Sequence, residues 1–276
     1  MCDALIRNKS KKNINILSHT YADADVIFIQ EAAAAFVEQT MGDDHLARKF
    51  MLLKPGVLDG KRDQNSLIFA NRERFDEDTA VEVTEEVLSL VEGNWTAAGD
   101  LVCFRIEGVS GLERFLLCSF HGDSNGLATL PIMRALHQLA SITYTEHTLI
   151  VGLDANTYKE ASAQRHGVIQ FAEWIMSKGM ISCWGEDPDP CSSTTCNART
   201  FLQPQLNKAV RLSEQVSKGE QNLKDWIVFF SSQLTASNTT RDNTGRVRYV
   251  REMVFPTLVF PSDHAVVSTT LSPTIK

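Results

Sequence analysis

Short apolar runs, each closed by polar residues, constrain this chain more than any other feature. They are DVIFIQ (25–30), NSLIFANRERF (65–75), GDLVCFRIEG (99–108), ERFLLCSFHG (113–122), HTLIVGLDAN (147–156), DWIVFFSS (225–232) and EMVFPTLVF (252–260). Runs this short and this apolar predict strands buried on both faces. A last strand is expected after SDH, in AVVSTTL, and VEVTEEVLSLVEG (81–93) is expected to begin as a strand pairing beside 65–75. Helical spacing marks EAAAAFVEQTM (31–41), LPIMRALHQLASITY (130–144), with Pro131 near its start, and HGVIQFAEWIMSKG (166–179), with Gly179 as its stop. The VSGL turn makes a hairpin of 99–108 and 113–122. Strand hairpins mixed with long helices predict an α/β (α+β) four-layer sandwich, two packed mixed β-sheets flanked by helices. No linker or repeat divides the chain, so residues 1–276 are expected to form a single domain.

Bulk properties remove several function classes. At 276 residues, 43% hydrophobic and 22% charged, the chain has an ordinary globular composition. No apolar stretch reaches membrane-spanning length. The net charge of −7 argues against a protein that grips a nucleic-acid backbone by its own charge, but it suits one that holds a divalent cation. The six cysteines form no CxxC pair, so zinc-knuckle and thioredoxin-like chemistry drop out. Cys103 and Cys118 sit in apolar runs and read as small core residues. CSSTTC (191–196) is compatible with a loop disulfide and equally with two free thiols. MCDALIRNKSKK carries no apolar leader, which favours a cytoplasmic location only if the chain starts there. NWT (94–96) and NTT (238–240) are glycosylation sequons of the kind chance produces often.

The chemistry-bearing residues cluster where strands end. Gln30-Glu31 follows DVIFI, His121 follows FLLCSF, Asp154 and Asn156 follow LIVGL, Asp225 opens DWIVFF, and Asp263-His264 precedes AVV. Strand ends of a rigid sheet hold functional groups firmly at the rim of a cleft. Carboxylate and amide oxygens are the donors Mg²⁺ takes, and a histidine beside a carboxylate is a general base with its orienting group. Each cluster also has an ordinary reading: a helix-start glutamate, an Asx turn in DAN, a capping turn in SDH. No Walker motif, GxSxG or HExxH occurs.

Taken in order, DVIFIQE, SFHG, LIVGLDAN, KDWIVF and PSDHAVV resemble the endonuclease/exonuclease/phosphatase superfamily over residues 11–270. The departure within them is Leu153, which stands between Gly152 and Asp154 of the G-D-x-N box. The resemblance implies a Mg²⁺-dependent phosphoesterase, with Mn²⁺ as the alternative ion. It implies Glu31 as principal metal ligand, and Asp263 reaching the metal directly or through water. Asp154 would polarise the attacking water or protonate the leaving oxygen, and Asn156 would hold a phosphoryl oxygen. His264 would deprotonate water or steady the transition-state charge, with Asp225 fixing its tautomer, and His121 would donate to a phosphate oxygen. Asn65 and Arg199 are the expected substrate contacts, with Ser66, Arg72, Arg74, Gln203, Gln205 and Lys208 as further candidates. The implied substrate is a phosphate ester: nucleic acid, phospholipid or inositol phosphate. No obligate protein partner is implied, and a non-catalytic scaffold of the same fold is the other reading. The superfamily's opening strand, which ends in an asparagine, has no counterpart here. The expectation is a chain lacking its first strand, poorly stable and weakly active by itself.

Overall fold

A computed structural model describes residues 8–197 and 220–274. The elements in order are α1 (Lys9–Asn15), β1 (Val26–Ala32), α2 (Ala34–Met41), α3 (Asp44–Lys49), β2 (Phe50–Leu53), β3 (Asn65–Asn71) and β4 (Phe75–Glu82). They continue with α4 (Thr84–Ser89), β5 (Leu101–Gly108), β6 (Arg114–His121), α5 (Thr129–Gln138), β7 (Thr148–Asp154), α6 (Val168–Ser177) and β8 (Met180–Ser182). The last are β9 (Thr195–Asn197), β10 (Glu220–Asn222), β11 (Asp225–Phe230), β12 (Leu234–Asp242) and β13 (Val266–Pro273).

A six-stranded mixed sheet, β4-β5-β6-β7-β11-β8, forms the first layer of strands, with β6 and β7 its parallel pair. Opposite it lie a three-stranded antiparallel sheet, β1-β3-β2, and a two-stranded ribbon, β12-β13. The strand alternation sorts side chains between layers. In β3, Ile68 and Ala70 join the core between the sheets, while Leu67 and Phe69 pack beneath α1, α2 and α3. In β6, Phe115 and Leu117 face the inter-sheet core, and Leu116, Cys118 and Phe120 pack under α5 and α6. The order helix, sheet, sheet, helix is thus a four-layer α/β sandwich. The second layer is divided: among the described residues β1 pairs only with β3, and β13 only with β12. Phe28 of β1 and Leu271 of β13 nevertheless pack on the same inter-sheet core.

Some expectations need correction. The segment at 81–93 does not pair beside β3. Val81 and Glu82 finish β4 on β5, and Thr84–Ser89 is α4. The run at 252–260 is no strand but a string of turns through Pro256, which has no N–H to give a ladder. Its apolar content serves instead as two plugs, Phe255 and Phe260, buried with Ile16 and Cys196, while Leu258 and Val259 face solvent. Cys191 and Cys196 are both free thiols, the first exposed and the second buried.

Candidate active site

One rung of the six-stranded sheet carries three of the candidate residues. His121 at the end of β6 pairs with Asp154 at the end of β7, and Asp154 pairs across β7·β11 with Asp225. Side chains on one rung of adjacent strands are neighbours by construction. His121 Nε2 lies 3.8 Å from Asp154 Oδ2, and His264 Nε2 lies 3.7 Å from that same oxygen. Both carboxylate oxygens of Asp225 stand 3.0 Å from His264 Nδ1. That contact leaves Nε2 as the ring nitrogen facing Asp154. His264 reaches the rung because Thr195 bridges to it and Ala265 N–H donates to Thr194 O, so the segment before β13 is stitched alongside β9.

Glu31 arrives from the other layer. The register of β1 on β3 shifts between Ile29 and Ala32, and Glu31 takes up a left-handed φ of 56° in that bulge. A bulge of this kind re-aims a side chain, and a positive φ on a non-glycine residue is strain worth about 1 kcal/mol or more. The result sets Glu31 Oε1 3.2 Å from His121 Nε2, the nitrogen that also faces Asp154. Gln30 fixes the approach. Its amide donates to Ser119 Oγ (2.9 Å) and to Gly152 O (3.2 Å), while Ser119 Oγ donates to Ile29 O (3.0 Å). Gly152 permits it: a Cβ there would lie 2.2 Å from Phe28 Cγ. The glycine of LIVGLDAN is therefore the spot where β1 rests on β7.

The electrostatics follow from burial beside carboxylates. Burial works against the imidazolium of His264, but Asp225, Asp154 and Asp263 outweigh it and push its pKa up to about 10. Burial raises the Asp154 carboxyl, and nearby Asp225 adds to that, while His264, His121 and Lys224 pull it back down. Asp154 also accepts from Asn156 N–H (2.8 Å), and Asn156 itself sits at φ 50°. A cleft of about 680 Å³ opens over these groups, with Glu31, His121, Asp154, Asn156, Asp263 and His264 in its wall.

Four of the candidate substrate contacts fall elsewhere. Asn65 does not line the cleft. Its amide is wholly buried, donating to Ala32 O (3.1 Å) and accepting from Asp59 N–H (2.8 Å), which makes it a brace for the Glu31 bulge. Ser66 is likewise buried, bonded to Asp100 O. Arg72 and Arg74 are paired with Glu77 and Glu113. Arg199, Gln203, Gln205 and Lys208 lie outside the described residues.

The cleft also contains residues that sequence reasoning passed over. Asp100 precedes β5, holds Arg62 Nη1 at 2.8 Å, and lies 4.0 Å from His121 Nδ1. Its position at the start of the GDLVCF run is the same strand-end signal that marked Asp225. Lys224, beside Asp225 in KDWIVF, also borders the cleft, as do Trp95 and Tyr158.

Hard oxygen donors from Glu31 and Asp154 flank one histidine nitrogen, and Asp154, Asp225 and His264 offer ligand atoms within 4.8 Å of one another. Asp225 and His264 are already engaged with each other, while the carboxylates of Glu31, Asp154 and Asp263 add further oxygen donors to the cleft wall. That donor set fits Mg²⁺ or Mn²⁺ rather than a thiophilic ion.

No family model and no curated protein sequence matches the chain. Solved structures do. The chain superposes on TDP2 of D. rerio complexed with single strand DNA product at a TM-score of 0.60 and 14% identity, covering 97% of this chain and 92% of that one. The human Nocturnin catalytic domain with bound sulfate anion matches at a TM-score of 0.59 and 11% identity, covering 97% and 87%. An endonuclease/exonuclease/phosphatase family protein from Bacteroides thetaiotaomicron matches at 0.59 and 15%, covering 97% and 89%. At these identities the shared property is the fold.

Proposed function

We propose, from the endonuclease/exonuclease/phosphatase fold as premise, that this chain hydrolyses a phosphate ester by in-line attack of water, with Glu31 and Asp263 as the residues that would hold Mg²⁺. The observation that carries the reading is the single rung: His121, Asp154 and Asp225 abreast, with His264 locked to Asp225 and Glu31 brought in from the facing layer. A scaffold has no use for a histidine held at Nδ1 by a carboxylate and facing a second carboxylate with Nε2.

A divalent ion held there would add positive charge for the phosphoryl oxygens in a cleft otherwise rich in carboxylates. The protein's part is positioning and proton management. Asp225 fixes the imidazole so that Nε2 faces the cleft, the role of the aspartate in a catalytic triad. In the metal-free cleft the surrounding carboxylates keep His264 as imidazolium, the form that donates to a phosphoryl oxygen. A cation sharing those carboxylates would weaken that field and favour neutral imidazole, the form of His264 that can take a proton from water. Asp154, with its pKa raised, is the group suited to orient that water or to protonate the leaving oxygen. His121, whose Nε2 faces Asp154, is the proposed donor to a phosphate oxygen. No covalent enzyme intermediate is needed. The described residues, 8–197 and 220–274, would belong to a single domain.

The substrate class is a phosphodiester or phosphomonoester. Among the described residues no helix is long and apolar enough to cross a membrane. The test is a panel of DNA, RNA, sphingomyelin, inositol phosphates and a chromogenic phosphodiester, each with Mg²⁺, Mn²⁺ or EDTA. The expected result is turnover of at least one substrate that EDTA abolishes. Turnover of none, with the ions demonstrably present, favours the scaffold.

A further inference from the structure

Lys224 immediately precedes β11, and among the described residues its ammonium has no carboxylate within salt-bridge distance, although the cleft is lined by several. The other cation in the cleft wall, Arg62, is held by Asp100 at 2.8 Å. Two contacts present the Lys224 head group instead. Nζ donates to Asn156 Oδ1 at 2.6 Å and stands 5.2 Å from the centre of the Tyr158 ring. An ammonium has three donors, so two remain after the Asn156 contact.

Asn156 cannot be the donor for a phosphate oxygen in this arrangement. Its amide nitrogen gives one bond to Gly122 O at 2.9 Å and one to Asp154 Oδ2 at 3.3 Å, which uses both N–H groups. Turning the amide over would set its NH₂ against the lysine ammonium and its oxygen against Gly122 O, unfavourable on both sides. The side chain is buried and its orientation is therefore fixed.

We infer that Lys224 is the residue that binds a non-bridging oxygen of the phosphoryl group, and that Asn156 is a positioning residue that aims Lys224 and steadies Asp154. The inference rests on the phosphoesterase reading of the same cleft and names the cation that makes an acidic site accept an anion. The ligand class is a phosphate oxyanion, whether in a substrate or as released inorganic phosphate.

The test uses the full chain with saturating Mg²⁺ and two readouts: inorganic phosphate binding by calorimetry, and kcat and KM on a chromogenic phosphate ester. Lys224→Met keeps the aliphatic stem and removes the charge, Lys224→Arg restores it, and Lys224→Gln serves if the methionine variant misfolds. Loss of a charge-assisted hydrogen bond is expected to weaken phosphate binding about tenfold or more and raise KM in step, with arginine recovering most of the loss. Wild-type phosphate affinity and KM in a folded Lys224→Met or Lys224→Gln protein overturn the inference and leave the hydrolase reading standing. A wild-type chain that shows no EDTA-sensitive turnover, yet binds phosphate in a Lys224-dependent way, defeats the hydrolase reading and keeps the anion site. No phosphate binding by the wild type overturns the Lys224 assignment as well.

Discussion

Replacing Gly152 by alanine separates the two sheets where the site is built. The added Cβ would lie 2.2 Å from Phe28 Cγ, 2.3 Å from its Cδ2 and 2.5 Å from its Cβ, and both partners belong to strands pinned in packed sheets. Relief requires β1 to lift off β7. Overpacking a core in this way costs about 1–3 kcal/mol. Lifting β1 also strains the Gln30 bonds to Ser119 and Gly152 and the Ser119 bond to Ile29, each worth about 1 kcal/mol. G152A is therefore expected to lose about 2–4 kcal/mol. Phe28→Ala removes a half-buried ring and is expected to cost about 2 kcal/mol, near half the figure for a fully buried phenylalanine. In the double variant the alanine methyl occupies the space the ring has left. Its stability should match that of F28A alone, giving a coupling equal to the G152A cost, about 2–4 kcal/mol. Urea unfolding followed by Trp226 fluorescence measures all four proteins. Additive costs, to within about 0.5 kcal/mol, would refute the idea that Gly152 exists to seat Phe28.

Three further expectations follow from the same geometry. The His264 imidazole, followed by NMR, should titrate well above the ordinary 6.5 in metal-free protein and move down on adding Mg²⁺. Because its folded pKa is raised, its stabilisation is present below about pH 6.5 and is lost as pH rises toward 10, a slope that H264Q should flatten. Asp242 is buried and accepts from Tyr21 Oη, from Thr244 Oγ1 and from the backbone N–H groups of Thr244, Gly245 and Val247. Burial acts to raise its pKa, but those donors prevail and lower it. Y21F should cost about 1 kcal/mol and D242N about 3 kcal/mol in a chemical melt, and the Asp242 contribution should fade as pH falls below about 3.8. Saturating Mg²⁺ should raise the melting temperature, with about 2.7 kcal/mol of added stability at a hundred times its Kd, and E31A should cut that gain.

The layers and the site were legible to different depths. Runs such as LIVGLD and FLLCSF announce buried strands because both faces are covered, and the polar residue ending each run is the one the rung presents. β12, LTASNTTRD, gave no such signal, because a strand at the rim of a sheet leaves Thr235, Asn238 and Arg241 turned outward or only partly covered. EMVFPTLVF misled for the opposite reason: its apolar residues are separate plugs, not a ladder. Asn65 resembled a cleft residue because it precedes a strand, but the sequence does not reveal that Asp59 and Ala32 claim its amide. The seating of Phe28 on Gly152 and the Lys224–Asn156 contact join residues distant in the chain, and only the folded register brings them together.

Whether Glu31 and His264 serve one metal-dependent site is decided by steady-state hydrolysis of a chromogenic phosphodiester, titrated with Mg²⁺ for wild type, H264A and E31A in parallel. Expected are metal-dependent turnover by the wild type, a loss of about 10²–10⁴-fold in kcat for H264A at every Mg²⁺ concentration, and a shift of the E31A curve to higher Mg²⁺. Metal-dependent turnover that survives intact in both variants would contradict that shared site.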